Sequence, residues 1–320
     1  MKLRWLAAAI GLALSSPAFA LHILVTNDDG LTSNIKALYD TLEAHGHDVI
    51  VSVPCTNQSG RGAAIVMYST SVIVPDNDKT QIEAAGGCRN GVAAIGAPAV
   101  GPFAKSGYAK DFFYVHGSPV MATMYGLDVL APARWGKAPD LVLSGPNEGQ
   151  NVGRVINSSG TIGNAQFAAG RGIPSIALSA GSDTTDDKTL ANPYSTVVAE
   201  LSLRLVDALA QSSAAGPGAP LLPDGLVLNV NFPDKPTPAL KFAFARTGSF
   251  DLYDLRFRNT PPYGFSLAKR STDSATPAQM QDEAVVQKTR IAVSAMQVGF
   301  EARPVSQQWL RANLQQLLGP

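Results

Sequence analysis

His22-Ile-Leu-Val-Thr-Asn27-Asp28-Asp29-Gly30 is a short apolar run that ends in two adjacent carboxylates and a glycine. Buried parallel strands read as such runs, and open α/β sheets collect ligands at the carboxyl ends of their strands. Neighbouring carboxylates repel each other unless one keeps a proton or a cation lies between them. One reading is therefore a hard divalent metal at a strand tip. The other is a tight turn capping the next helix, because Asp, Asn and Gly favour turns and N-caps. The stretch alone leaves both open.

Outward from this run, apolar stretches alternate with amphipathic ones as βαβ units require. The pattern predicts a helix over Asn34–His45, with Ile35, Leu38, Tyr39 and Leu42 at helical spacing, and a second strand over Asp48–Pro54. Further strands are expected at Asp140–Ser144, Ser175–Ser179 and Leu226–Phe232, with helices at Gly163–Gly170 and Tyr194–Gln211. The expected fold is α/β, a mostly parallel sheet flanked by helices. Residues 76–114, rich in Gly and Ala, read as a long insertion with irregular strands. Residues 21–235 are expected to form the core. Residues 236–320, with a strand at Arg290–Met296 and a final helix at Val305–Leu318, are expected to form an appendage or oligomerisation arm.

Residues 1–20 have the pattern of a secretory signal: Lys2 and Arg4, the apolar run Leu6–Leu14, then Ala18-Phe19-Ala20. A retained N-terminal anchor is the alternative, although the run is short for a membrane span. The reading expects an exported, periplasmic or secreted protein with no membrane span after cleavage. The whole chain has 25 basic and 25 acidic residues, and loss of Lys2 and Arg4 leaves a net charge of −2. No basic excess exists to hold a nucleic-acid polymer, and no Lys/Arg block to hold an anionic membrane. Small molecules are the expected ligands. The two cysteines, Cys55 and Cys88, either form a disulfide in an oxidising compartment or stay buried and free.

Other chemistries lack their motifs. Gly60-Arg-Gly62 is followed by Ile65 where a dinucleotide loop needs its third glycine, and Gly136-Lys137 lacks the rest of a P-loop. No His-Glu-x-x-His or Gly-x-Ser-x-Gly occurs, and His22, His45, His47 and His116 are not spaced as a zinc set. What remains are oxygen-bearing clusters after strands: Asn57-Gln58-Ser59-Gly60, Ser144-Gly-Pro-Asn147-Glu-Gly149 and Ser158-Ser159-Gly160-Thr161. Each alone is a turn signal. Together with Asp28 and Asp29 they make a rim suited to Mg²⁺, Mn²⁺ or Ca²⁺. Ser159-Gly160-Thr161 at a helix start offers N–H groups and hydroxyls to a phosphate. A metal beside an anion site points to phosphoryl hydrolysis.

In this order, Asn27-Asp28-Asp29-Gly30, Ser144-Gly-x-Asn147-x-Gly149 and Ser159-Gly160-Thr161 resemble the SurE family of survival-protein nucleotidases and phosphatases. The resemblance extends through Asn57–Gly60, Gly117–Pro119 and Leu228–Pro233, and weakly through Asp282–Met296. It implies a Rossmann-like core and a divalent-metal phosphomonoesterase acting on 5′- and 3′-nucleotides. The metal ligands would be Asp28, Asp29, Ser59 and Asn147, with Mg²⁺ or Mn²⁺ as the metal and Ca²⁺ as a substitute in crystals. Asp28 and Asp29 would carry the catalysis. Ser159, Gly160 and Thr161 would surround the phosphate, with Asn27 and Gly149 lining the pocket. Exchange of C-terminal elements would give a homodimer or homotetramer.

Three departures bear on specificity. Cys55 stands where the family usually has Asp, Met121 stands where it often has Asp, and the 76–114 region is longer than usual. The leading expectation is an exported nucleoside monophosphatase. A broad acid phosphatase using the same site, and a non-catalytic periplasmic protein that binds phosphate esters, are the alternatives.

Overall fold

The computed structural model describes residues 20–66, 87–108, 110–212, 219–261, 264–300 and 304–318. The expected signal segment, apart from Ala20, and residues 76–86 of the expected insertion lie outside them. Along the described chain come β1 (His22–Thr26), α1 (Ser33–Ala44), β2 (Asp48–Pro54), β3 (Val100–Pro102) and β4 (Phe112–Val115). Then follow α2 (Pro119–Tyr125), α3 (Ala131–Trp135), β5 (Leu141–Glu148), α4 (Gly160–Ala169), β6 (Ser175–Ala180), α5 (Pro193–Ser212) and β7 (Leu226–Asn231). The last part holds β8 (Phe242–Ala245), β9 (Tyr253–Arg258), β10 (Gly264–Lys269), α6 (Glu283–Val286), β11 (Ile291–Gln297), α7 (Pro304–Asn313) and α8 (Gln315–Leu318).

Nine strands form one sheet in the order β3-β4-β2-β1-β5-β6-β7-β11-β8. The six from β4 to β7 run parallel. β3 is antiparallel to β4, and β11 is antiparallel to β7 but parallel to β8. β1 alternates between two buried faces. Ile23 and Val25 pack with Ile35 and Leu38 of α1 and with Val198 and Leu201 of α5. Leu24 points the other way, against Leu127, Leu130 and Val142. Each such buried aliphatic side chain contributes roughly 1.5–3 kcal/mol over an exposed one.

From β1 the chain builds outward through β2 to β4, then crosses back over α2 and α3 to lay β5 on the other side of β1. The connections from β1 and β5 therefore diverge, and they open a crevice at the carboxyl ends of these two strands. The expected carboxylate motif and the expected asparagine loop sit at these two ends.

The described structure differs from the sequence reading in three places. Phe112–Val115, expected within an irregular insertion, is a core strand paired with β2, because buried Phe112 fills the space beneath α1 beside Tyr39. The helical stretch 119–135 carried no expectation. Past residue 235 the chain returns β8 and β11 to the main sheet, where β11 covers the edge of β7 that would otherwise be unpaired. The sheet thus continues across the boundary expected at Pro236, and the β9–β10 hairpin forms a separate two-stranded ribbon.

Candidate active site

The turn after β1 is held by its first residue. Asn27 is fully buried; its Oδ1 accepts from Gly30 N at 3.1 Å and its Nδ2 donates to Gly30 O at 2.7 Å. Asn164 of α4 donates to Asn27 O at 3.1 Å. Asn27 is therefore a clasp that projects Asp28 and Asp29, not a wall of the cavity. Thr32 then caps α1 by accepting from Ile35 N at 3.2 Å.

The Asn57–Gly60 loop closes on this turn. Gln58 N donates to Asp28 O at 2.7 Å. Asn57 Nδ2 and Ser59 Oγ both donate to Asp29 Oδ1, at 3.0 and 3.2 Å. The other Asp29 oxygen accepts from Glu148 N at 3.1 Å. Ser59 is thus brought to Asp29.

A bulge in β5 aims Asn147. Its register against β6 shifts between Ser144 and Asn147, so the strand bends where its side chain must turn inward. Gly145 makes this possible: its φ is +110°, and a Cβ there would lie 2.1 Å from Leu178 O. Asn147 Nδ2 donates to Gly149 O at 2.7 Å, which leaves Oδ1 facing Thr161.

α4 begins against Asp28. Ser159 caps the helix, accepting from Ile162 N at 3.2 Å. Gly160 comes so close that a Cβ would stand 2.6 Å from Asp28 Cβ and 2.8 Å from Pro119 Cγ. Thr161 Oγ1 reaches Asp28 Oδ1 at 2.8 Å and Asn147 Oδ1 at 3.1 Å. Thr161 is fully buried behind these two residues and does not face the cavity.

Crowding of acids dominates the electrostatics. Burial, and then the Asp29 charge, push the Asp28 carboxyl up to about 7. Burial raises Asp29 as well, opposed by the Glu148 N–H and by Arg89. Glu148 is pushed up to about 8 by burial and by Asp29. The Arg89 guanidinium is the cation shared by this group: it meets Asp29 O, both Glu148 oxygens and Asp187. Among the described residues no set of three Asp, Glu, His or Cys side chains is disposed around one metal position. The donors that converge are two carboxylates, a hydroxyl and an amide oxygen. They fit a hard divalent cation, because one Thr161 proton cannot serve both Asp28 Oδ1 and Asn147 Oδ1 at once.

A cavity of about 800 Å³ opens onto Asp28, Ser59 and Asn147, while Asp29 is buried and does not line it. Its floor includes Asp28, Ser59, Asn147, Gly149 and Ser159, and its outer wall is the β9–β10 hairpin with Tyr253, Leu255, Arg256, Phe257 and Lys269. Met121 packs over Gly117 and does not line the cavity. Cys55 and Cys88 are joined as a disulfide. Sequence reasoning missed Glu148, Arg89 and the hairpin. Glu148 had a signal, an acid between Asn147 and Gly149; the other two acquire their place only through the fold.

The chain matches the family model described as "Survival protein SurE" over residues 23–253. It is 34% identical over 217 residues to a protein of Yarrowia lipolytica named "Acid phosphatase", a match covering 66% of this chain and 56% of that protein. It is 32% identical over 217 residues to "5'-nucleotidase SurE" of Desulfatibacillum aliphaticivorans, covering 68% of this chain and 67% of that one. The crystal structure of the SurE protein from Aquifex aeolicus superposes with a TM-score of 0.62 at 22% identity, covering 93% of this chain and all of that one, and it supports the fold. The chain belongs to the SurE family.

Proposed function

We propose that the protein is a metal-dependent phosphomonoesterase that hydrolyses nucleoside monophosphates outside the cytoplasm. The observation that carries this reading is the convergence of Asp28, Asp29, Ser59 and Asn147 at the start of α4, in the crevice between β1 and β5. Relatives named 5'-nucleotidase and acid phosphatase support the reaction class. Export rests on the pattern of residues 1–20, and among the described residues no helix is long and apolar enough to cross a membrane.

Asp28, Asp29, Ser59 and Asn147 would hold the cation, Mg²⁺ or Mn²⁺. When bound, a divalent cation supplies charge stabilisation to the phosphoryl group. The chain's own residues do the rest. The start of α4, capped by Ser159 on the cavity floor, favours the phosphate through its helix dipole. Thr161 and the Gly160 N–H orient Asp28 from behind. Asn57, Ser59 and the Glu148 N–H fix both Asp29 oxygens, so the acids stay in place as charge develops on the substrate. The hairpin wall, with Tyr253 and Phe257 beside Arg256 and Lys269, offers aromatic faces and positive charge to the leaving group. That wall supports a nucleoside leaving group.

A broad acid phosphatase is the second reading, favoured by the Yarrowia relative. The ratio of kcat/KM for AMP to that for an aryl phosphate separates the two. A strong preference for AMP supports the nucleotidase, and equal values support the broad enzyme. Exposed Leu255, Phe257, Trp309 and Leu317 on the C-terminal elements support assembly into a dimer or tetramer, which light scattering at known concentration measures. Binding of phosphate esters without turnover would indicate a non-catalytic binding protein.

A further inference from the structure

Residues 88–93 are distant in sequence from the turn after β1, yet they grip it at two points. Arg89 Nη1 donates to Asp29 O at 2.5 Å, and Asn90 Nδ2 donates to Leu31 O at 2.9 Å. The same guanidinium, through Nη2, donates to Glu148 Oε1 at 3.2 Å, to Glu148 Oε2 at 3.4 Å and to Asp187. Arg89 therefore ties together three pieces that are distant in sequence: the carboxylate turn, the end of β5, and the loop before α5. The segment is anchored in turn. Arg89 N donates to Cys55 O at 2.7 Å, and Cys88 is disulfide-bonded to Cys55, directly after β2. Both cysteines are buried with Leu31, Val92, Ala93 and Tyr114. Arg89 is mostly buried and does not line the cavity.

We propose that Arg89, tethered by the Cys55–Cys88 disulfide, is a positioning residue that sets the Asp28–Asp29 turn and Glu148 in register for cation and phosphate. This inference rests on the phosphomonoesterase reading. Its physical basis is the fork of the guanidinium, which can donate to a carbonyl and to carboxylates in fixed directions at once. A lysine ammonium carries the same charge without that fork. The charge by itself works against the site, since a positive group beside a cation position repels the cation. The two possible roles of Arg89 therefore have opposite signs. If it acted through charge alone, removing it would tighten cation binding. As a positioning residue, its removal lets the turn and Glu148 drift and weakens cation binding.

The test uses the full mature chain stripped of metal, with Mn²⁺ binding followed by titration calorimetry and with kcat and KM measured on an aryl phosphate. In Arg89→Ala, Mn²⁺ binding weakens about tenfold and kcat falls about tenfold or more, with a smaller change in KM, the loss expected for one or two charge-assisted hydrogen bonds. Arg89→Lys recovers little of either. Guanidinium ion, added far below unfolding concentrations, restores part of the kcat of Arg89→Ala. The Cys55→Ser/Cys88→Ser double variant shifts Mn²⁺ affinity and kcat in the same direction as Arg89→Ala. Unchanged or tighter Mn²⁺ binding in Arg89→Ala with wild-type kcat, or wild-type behaviour in Arg89→Lys, overturns the proposal. If Arg89→Ala does not fold, Arg89→Lys carries the test through the same readouts. A wild-type protein that neither binds Mn²⁺ nor releases phosphate overturns the phosphomonoesterase reading, and this inference with it; an active wild type with unaffected variants sinks the positioning role alone.

Discussion

The Thr161 hydroxyl lies 2.8 Å from Asp28 Oδ1 and 3.1 Å from Asn147 Oδ1, so one buried side chain on α4 joins an acid after β1 to an amide on β5. A hydroxyl has one proton to give. Donating to Asp28 leaves the amide oxygen free to turn toward a cation. Thr161→Val keeps the shape and removes the donor. A hydrogen bond to a charged group is worth about 1.5–3 kcal/mol, so kcat should fall about 10- to 100-fold. Thr161→Ser should retain most of it. Steady-state kinetics on the two variants checks this, and equal kcat in Thr161→Val and wild type would remove Thr161 from the account.

Gly145 is predicted to be irreplaceable for a steric reason. Alanine there must adopt a φ of +110° with its Cβ 2.1 Å from Leu178 O, and the bulge that aims Asn147 cannot form unchanged. Gly145→Ala should cost several kcal/mol of stability and most of the activity. Urea denaturation and phosphate release measure the two losses. Wild-type values in both would show that the bulge does not govern Asn147.

Glu283 gives a pH dependence of stability. Its carboxyl lies buried between Gly153 N at 3.1 Å and Asn229 Nδ2 at 3.0 Å, and burial raises it from 4.5 to about 7. A raised acid favours the folded state when protonated. Its stabilising contribution is full below pH 4.5 and is lost as pH rises through about 7. Between pH 4.5 and 8 the wild type should lose about 3 kcal/mol relative to Glu283→Gln, which does not titrate. Paired urea melts at pH 4.5 and pH 8 give this difference. A difference that does not change with pH would contradict the burial argument.

Phe257 on the hairpin is 88% exposed yet lines the cavity, so its contribution should appear in binding and not in folding. Phe257→Ala should change stability by no more than about 0.5 kcal/mol. Loss of an aromatic face for a base costs about 1–3 kcal/mol, so KM for AMP should rise about tenfold while KM for inorganic-like small phosphate esters stays level. Equal effects on both substrates would place the base elsewhere.

Much of the fold was legible because β1, β2, β5, β6 and β7 are buried on both faces, and such strands are mostly apolar runs in the sequence. The Asp28–Asp29 turn was legible for a similar reason: polar residues that abruptly end an apolar run mark a strand tip. Phe112–Val115 was not, since a four-residue run among glycines and alanines has too little length to show its partner. Nor was the return of β11 to the sheet, which depends on the open edge of β7. Arg89 lies 60 residues from Asp29, and its role arises from the disulfide and the loops it bridges, not from any local pattern. Tyr253 and Phe257 likewise meet the site only because the hairpin folds back over it.

The central claim, that Asp28, Asp29, Ser59 and Asn147 form a cation site for phosphate-ester hydrolysis, is tested most directly by phosphate release from the metal-stripped chain of residues 21–320. Mg²⁺ and Mn²⁺ are added back separately, with AMP as substrate, to the wild type and to Asp28→Asn. The account predicts that the stripped protein is inactive, that metal restores turnover in the wild type, and that Asp28→Asn stays inactive while folded. Equal turnover with and without metal, or a fully active Asp28→Asn, would contradict it.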